Sequence, residues 1–240
     1  MLILGGAMST GEAAFRTITL LEGRYRIISP TYPVVTRLST CLDGLAKILD
    51  AEGLSQAHVY GHSLGSGVAH ALVRRHAGRI DKLILSSFGL YNQNSLKKAR
   101  QALLLFRLLP YGYLSSYYKK RLAVLMQGLP GEDYAFYLAY TYDMLDLQLN
   151  KRMVLSQFSL LEDMFSHPEE YQISQPVDRR SRVLILSAKD DTGFAPDEQA
   201  ALHQTYPGAI VHQFEAGGHL SGLTHQAEFQ EAIEKILAGD

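Results

Sequence analysis

The stretch Ala57-His58-Val59-Tyr60-Gly61-His62-Ser63-Leu64-Gly65-Ser66-Gly67-Val68-Ala69-His70 constrains this chain more than any other. A β-leaning run at 57–60 enters a segment punctuated by Gly61, Gly65 and Gly67, and 68–75 then reads as a helix. Strand and helix approach so closely only where no Cβ intervenes, which is the task of the glycines. Gly61-His62-Ser63-Leu64-Gly65 has the G-x-S-x-G spacing, whose middle residue sits at the exposed tip of a strained turn. The same five letters also occur in structural turns, so the rest of the chain has to carry the reading.

Elsewhere strands and helices alternate. The apolar run 1–4 stops at Gly5-Gly6 and reads as a buried strand, followed by a helix-like segment at 12–21. A second strand is expected at 25–29, ended by Pro30 and Pro33. Leu38, Leu42, Leu45, Ile48 and Leu49 recur at helical spacing, and Gly53 ends that helix. Buried strands follow at 82–86 and 182–187, then a helix at 197–205, a last strand at 209–214 and a closing helix at 226–237. Such alternation implies a mostly parallel, doubly wound sheet.

The region 91–175 breaks that rhythm with helix-length segments at 96–109, 115–129, 132–149 and 153–165. Pro110-Tyr111-Gly112, Gly128-Leu129-Pro130-Gly131 and His167-Pro168 punctuate it. Its many tyrosines read as the core of a helical layer, with one or two hydroxyls lining a pocket as the alternative. Phe106 and the run Leu103-Leu104-Leu105 read as core packing, with a membrane-facing surface as the alternative.

With a strand before it and a helix after it, the stretch around Ser63 resembles the nucleophile elbow of the α/β-hydrolase superfamily. The resemblance implies an α/β core, 1–90 with 176–240, and a helical cap inserted at 91–175. The superfamily's N-terminal antiparallel hairpin has no room before the strand at 1–4, which implies a smaller sheet or a recorded start downstream of the true one. Gly5-Gly6-Ala7 resembles the family's strand-to-loop step, with Gly5 where a His is frequent. That step implies an oxyanion hole made by the backbone N–H groups of Leu64 and Ala7, with Met8 as the second candidate for the latter.

The chain order serine, acid, histidine is also that of the superfamily. Gly217-Gly218-His219 resembles its Gly-His corner. The segment 183–191 resembles a strand followed by a Gly-x-x-Asp turn, with Ala188 for glycine, which assigns the acid to Asp191 rather than the adjacent Asp190. In this scheme His219 takes the Ser63 proton and later returns it to the leaving group, and Asp191 fixes the imidazole tautomer. The activity implied is hydrolysis of an ester, thioester or similar acyl bond through an acyl-Ser63 intermediate. The alternatives are a lyase or carbon–carbon bond hydrolase on the same triad, and a non-catalytic ligand-binding member. His58, His62, His70, His76 and His212 read as surface or hydrogen-bonded side chains.

Composition narrows the remaining choices. The 240 residues, 47% hydrophobic and 20% charged, suit a folded chain with a full core. A net charge of -1 gives no electrostatic ground for a nucleic acid or an anionic membrane surface as partner, and the resemblance implies a small molecule, apolar or acyl, as the substrate. Cys41 is the only cysteine and reads as a small buried apolar residue. No His pair with carboxylates at metal-ligand spacing and no phosphate-cradling glycine loop stands out, so neither metal nor cofactor is expected. No apolar run reaches the ~18 residues of a bilayer span, and no secretory leader pattern opens the chain, so a cytoplasmic location is expected. Oligomeric state and natural substrate are not legible at this stage.

Overall fold

The computed structural model describes residues 1–90, 92–173 and 182–238. In chain order, β1 (Leu2–Leu4) leads through a 3₁₀ turn at Gly11–Ala14 to α1 (Phe15–Leu21) and α2 (Leu38–Ala51). Next come β2 (Ala57–His62), α3 (Leu64–Arg75) and β3 (Ile80–Ser86). A helical insertion follows: α4 (Gln93–Leu108), α5 (Tyr111–Leu125), α6 (Gly131–Asp143), a π-helical turn at Met144–Gln148, α7 (Lys151–Ser166) and α8 (Pro168–Tyr171). The chain then returns through β4 (Val183–Ala188), α9 (Pro196–Thr205), β5 (Ile210–Phe214), α10 (Ser221–Thr224) and α11 (Gln226–Ala238).

The five strands pair in the order β1-β2-β3-β4-β5, every pairing parallel. Because successive side chains on a strand face opposite ways, the sheet divides its apolar residues between two layers. Leu2, Leu4, Val59, Leu83 and Ile185 join α2 and α3 on one face, where Leu42, Leu45 and Leu72 cover them. Ile3, Tyr60, Ile84 and Leu186 join Leu21 of α1 and Phe229 and Ile233 of α11 on the other. Both faces are therefore covered, as an all-parallel sheet requires.

The expected strand at 25–29 shrinks to a single bridge between Ile28 and Leu2. The Ile28 N–H donates to Met1 O at 2.9 Å and the Ile3 N–H to Ile28 O at 2.8 Å. Pro30 and Pro33 follow, and proline has no N–H to extend such a ladder. The bridge still matters, because it lies on the side of β1 away from β2. The chain thus steps to one side of β1 and then crosses to the other, leaving a crevice at the carboxyl ends of β1 and β2 where open parallel sheets gather their sites.

Within the insertion, Pro110 and Pro130 stand at the N-caps of α5 and α6, so both helices begin earlier than the punctuation suggests. A proline at a helix start loses no intrahelical hydrogen bond. The single helix expected at 132–149 is broken by the π-helical turn. The expected insertion limits at 91 and 175 lie outside the described residues. Among the described residues no helix is long and apolar enough to cross a membrane.

Candidate active site

Ser63 stands between β2 and α3 with φ 53° and ψ -115°, backbone angles that cost a non-glycine residue roughly 1–3 kcal/mol. The surroundings leave it little choice. A Cβ on Gly61 would overlap the Gly65 carbonyl, and one on Gly65 would overlap the carbonyl of Leu4 in β1. Buried Ser66 adds a clamp that the motif does not advertise. Its hydroxyl donates to Gly61 O at 2.7 Å and accepts from the Ser86 N–H at 2.9 Å, joining the elbow to β3.

His219 Nε2 lies 2.8 Å from Ser63 Oγ, and its Nδ1 lies 3.0 Å from Asp191 Oδ2. With the Nδ1 proton directed at that carboxylate, Nε2 carries the lone pair that faces the serine. Asp191 is buried, and Oδ1 accepts the Gly193 N–H at 2.8 Å. Burial by itself raises its carboxyl, but the hydrogen bond and charge of His219, with the Gly193 N–H, hold it below the usual carboxylate range. Asp190 points elsewhere: its two oxygens accept the N–H groups of Gly218 at 2.8 Å and Gly217 at 3.2 Å. It thereby secures the two positive-φ glycines that precede His219.

Two further residues that sequence reasoning missed support the imidazole. The Ser87 hydroxyl donates to the His219 carbonyl at 3.1 Å, and the Phe194 ring stacks near His219 at 6.2 Å between centroids. Ser87 acts from the end of β3, 132 residues before His219, and Phe194 stands three residues after Asp191 in the same loop.

The loop after β1 flanks Ser63 on the other side. A Cβ on Gly6 would stand 3.5 Å from the Ser63 Cβ. Of the two candidate N–H groups in this loop, that of Met8 donates to Gln157 Oε1 at 2.7 Å. The Gln157 amide N–H donates to Ser9 O at 2.9 Å, so one buried side chain of α7 grips the loop twice. Met8 itself holds φ at 61° and buries its side chain among Phe106, Leu114, Met144 and Leu145 of the insertion. Leu64 opens α3, where the first N–H groups of a helix have no intrahelical partner and the macrodipole is positive.

The other histidines fall into structural settings. The His62 ring lies 5.3 Å from that of His219, and burial with His219 beside it pushes His62 down to about 3. His70 is buried, with Nδ1 2.9 Å from the Tyr206 hydroxyl, and burial pushes it down to about 4. His58, His76 and His212 lie beside Asp81, Asp43 and Glu228. Among the described residues no three His, Cys, Asp or Glu side chains gather as a metal-binding group.

A parallel sheet with a serine on a strained strand-to-helix turn, and a helical insertion after the next strand, is an α/β-hydrolase architecture. The chain belongs to the alpha/beta hydrolase fold family, whose sequence profile matches residues 29–226. It is similar to maspardin of Danio rerio, with 26% identity over 241 residues that cover 98% of this chain and 72% of that protein. A hydrolase from Pseudomonas aeruginosa PA01 superposes with a TM-score of 0.79 at 17% identity, covering 99% of this chain and 89% of the other. An esterase from Exiguobacterium antarcticum follows at 0.75, also 17% identical, with 99% and 91% covered. At such identity the likeness to the two solved structures is one of fold.

Proposed function

We propose that this chain is a serine hydrolase that cleaves an ester, thioester or similar acyl bond. A serine hydroxyl is a weak nucleophile near neutral pH, so its proton must leave as the bond to carbon forms. His219 Nε2 takes that proton while Ser63 Oγ adds to the carbonyl carbon. The negative charge that develops on the carbonyl oxygen meets the N–H groups of Leu64 and Ala7, each worth roughly a hundredfold to a thousandfold in rate. His219 then protonates the leaving group, and the same steps with water in its place release the acid and regenerate Ser63. Asp191 holds the imidazole in the required tautomer and steadies its transient charge.

The single observation that carries this reading is the 2.8 Å approach of His219 Nε2 to Ser63 Oγ while Nδ1 engages Asp191. Of the two loop candidates, Ala7 is preferred because Gln157 occupies the Met8 N–H. Phe194 gives His219 an apolar neighbour, which suits a small acyl substrate. The helices between β3 and β4, taken as a cap at 91–175 over a core of 1–90 and 176–240, roof the crevice in this reading.

Labelling with a fluorophosphonate followed by peptide mapping tests it. Modification is expected at Ser63, absent in Ser63→Ala and slowed at least about a hundredfold in His219→Ala. Folded protein that takes up no label, or takes it up elsewhere, would overturn the assignment.

A further inference from the structure

Among the described residues, nearly all of the strongly exposed large apolar side chains lie in the helical insertion, with Val34 and Val211 the exceptions. Leu147, Leu108 and Tyr113 are the most open, at 80%, 73% and 73% of their surface. Hydrogen bonds bring all three to one corner. Lys151 Nζ donates to the carbonyls of Arg107 and Leu109 at 2.8 Å each, tying the start of α7 to the end of α4. The Tyr111 hydroxyl donates to Leu145 O at 2.5 Å, and Ser115 and Lys119 both donate to Asp146, tying the first turns of α5 to the π-helical turn.

From that corner the apolar surface continues along two helices. Leu104 lies one turn before Leu108 on the outer face of α4, with Leu105 beside them. Tyr113, Tyr117 and Val124 follow one stripe along α5, with Lys120 on the same stripe. These are not stray core residues, because the insertion has its own core beneath them, in which Phe106, Leu114, Met144, Leu145 and Leu149 are buried. The run Leu103-Leu104-Leu105 with Phe106 therefore divides: Leu103 and Phe106 pack inward, Leu104 and Leu105 face out.

The two helices that carry this surface are basic, and the carboxylate beside Leu147, that of Asp146, is paired with Lys119. Residues 82–131 contain no Asp or Glu, although the whole chain carries a net charge of -1. Here α4 brings Lys97, Lys98, Arg100 and Arg107, and α5 brings Lys119, Lys120 and Arg121. Arg100 pairs with Glu162 and Lys119 with Asp146, whereas Lys97, Lys98, Lys120 and Arg121 are exposed.

We propose that the α4–α5 corner docks on the surface of an anionic lipid bilayer. Leu108, Tyr113 and Leu147 enter the boundary between headgroups and acyl chains. The lysines and arginines beside them lay their stems on the apolar surface and their charges on lipid phosphates. Side chains this open project from the surface instead of lining a groove, so they suit a deformable partner better than a rigid complementary one. Tyrosine at this level matches the aromatic residues that favour membrane–water interfaces. The docking stands independently of the chemistry proposed for Ser63.

Sedimentation of the full chain with phosphatidylcholine vesicles, with and without phosphatidylserine, tests it. Binding is expected to the mixed vesicles only, and to weaken as salt is raised. Leu108→Asp with Leu147→Asp should cut it at least about tenfold, and Lys120→Glu with Arg121→Glu about tenfold with a shallower salt dependence. Both pairs are on the surface, so circular dichroism and the melting temperature should match those of the parent protein. Failure of the parent to bind mixed vesicles, or binding that both pairs leave unchanged, overturns the proposal. So does binding to polyglutamate but not to vesicles, when the same substitutions abolish it, since that would assign the corner to an acidic protein surface.

Discussion

Ser63 and Met8 stand on opposite flanks of one crevice, and each holds a positive φ that a residue with a Cβ avoids. They are held there by different means. The elbow at Ser63 is held by the sheet it springs from: Gly61 touches the Gly65 carbonyl and Gly65 the Leu4 carbonyl of β1 where no side chain fits, and Ser66, three residues on, closes the turn against β3. The loop at Met8 is imposed from outside, by a glutamine 149 residues away on α7 and by an apolar nest made of insertion residues. One half of the site thus rests on the parallel sheet, and the other depends on how the helical insertion sits.

That contrast is open to direct attack, and the largest effect is expected at the elbow. Gly65→Ala would drive a methyl group into the Leu4 carbonyl, joining β1 to α3 by overlap instead of contact. We expect a loss of at least ~3 kcal/mol in denaturant unfolding, or no soluble protein. A stable Gly65→Ala variant with parental labelling would show that the elbow tolerates more than its geometry implies.

Gln157→Leu comes next and strikes the other flank. It leaves the buried Met8 N–H and Ser9 carbonyl without their partner, at a cost of about 1–3 kcal/mol. On the reading proposed for Ser63, it should also slow phosphonate labelling by roughly tenfold to a hundredfold, with kcat falling more than KM changes. Ser156→Ala, on the same helix, is the control. Its hydroxyl meets the Val35 N–H at 2.8 Å, so its loss should lower the melting temperature and leave the labelling rate alone. Parental reactivity in Gln157→Leu would mean that the loop holds itself.

The smallest effect is a pH dependence in the elbow's support. His70 is buried on α3, and its folded-state value of about 4 lies below the ordinary histidine value of ~6.5. Between those limits the unfolded chain binds the extra proton, so stability is complete above ~6.5 and declines as pH falls toward 4, by about 1 kcal/mol over the first unit. Asp191 has the opposite assignment of charge. Its carboxyl is held low, so its contribution is present above the unfolded value and is lost only as pH falls through the folded one. Thermal melts of His70→Gln should make the decline between 6.5 and 4 shallower, with buried His62, pushed down to about 3, supplying the rest, while leaving the more acid loss in place.

The parts of this protein legible in advance share one property, which is that their cause is local. Apolar runs at β1, β3 and β4 announce buried strands because a parallel sheet covered on both faces needs no polar alternation. Gly61 and Gly65 announce the elbow because their spacing is written within five residues, although the carbonyl that bars a side chain at Gly65 belongs to Leu4 of β1. The segment 25–29 misled for the converse reason. Its composition favours extended chain, but only Ile28 finds a partner before the prolines intervene. In Leu103-Leu104-Leu105 three identical residues meet different fates, since helical rotation turns the first toward α7 and the next two toward solvent.

From the sequence alone came the parallel sheet, the strained serine turn and the order of serine, acid and histidine, because strand period and the glycine-marked elbow are written in a few neighbouring residues and order is read directly along the chain. The preference for Asp191 over Asp190 was already legible, but tertiary structure alone decided that Asp190 secures the glycines before His219, that Gln157 grips the loop beside Ser63, and that an apolar corner stands open among cations. Adjacent carboxylates, a single amide and a run of leucines are chemically equivalent until packing chooses their neighbours, and those neighbours lie far away along the chain.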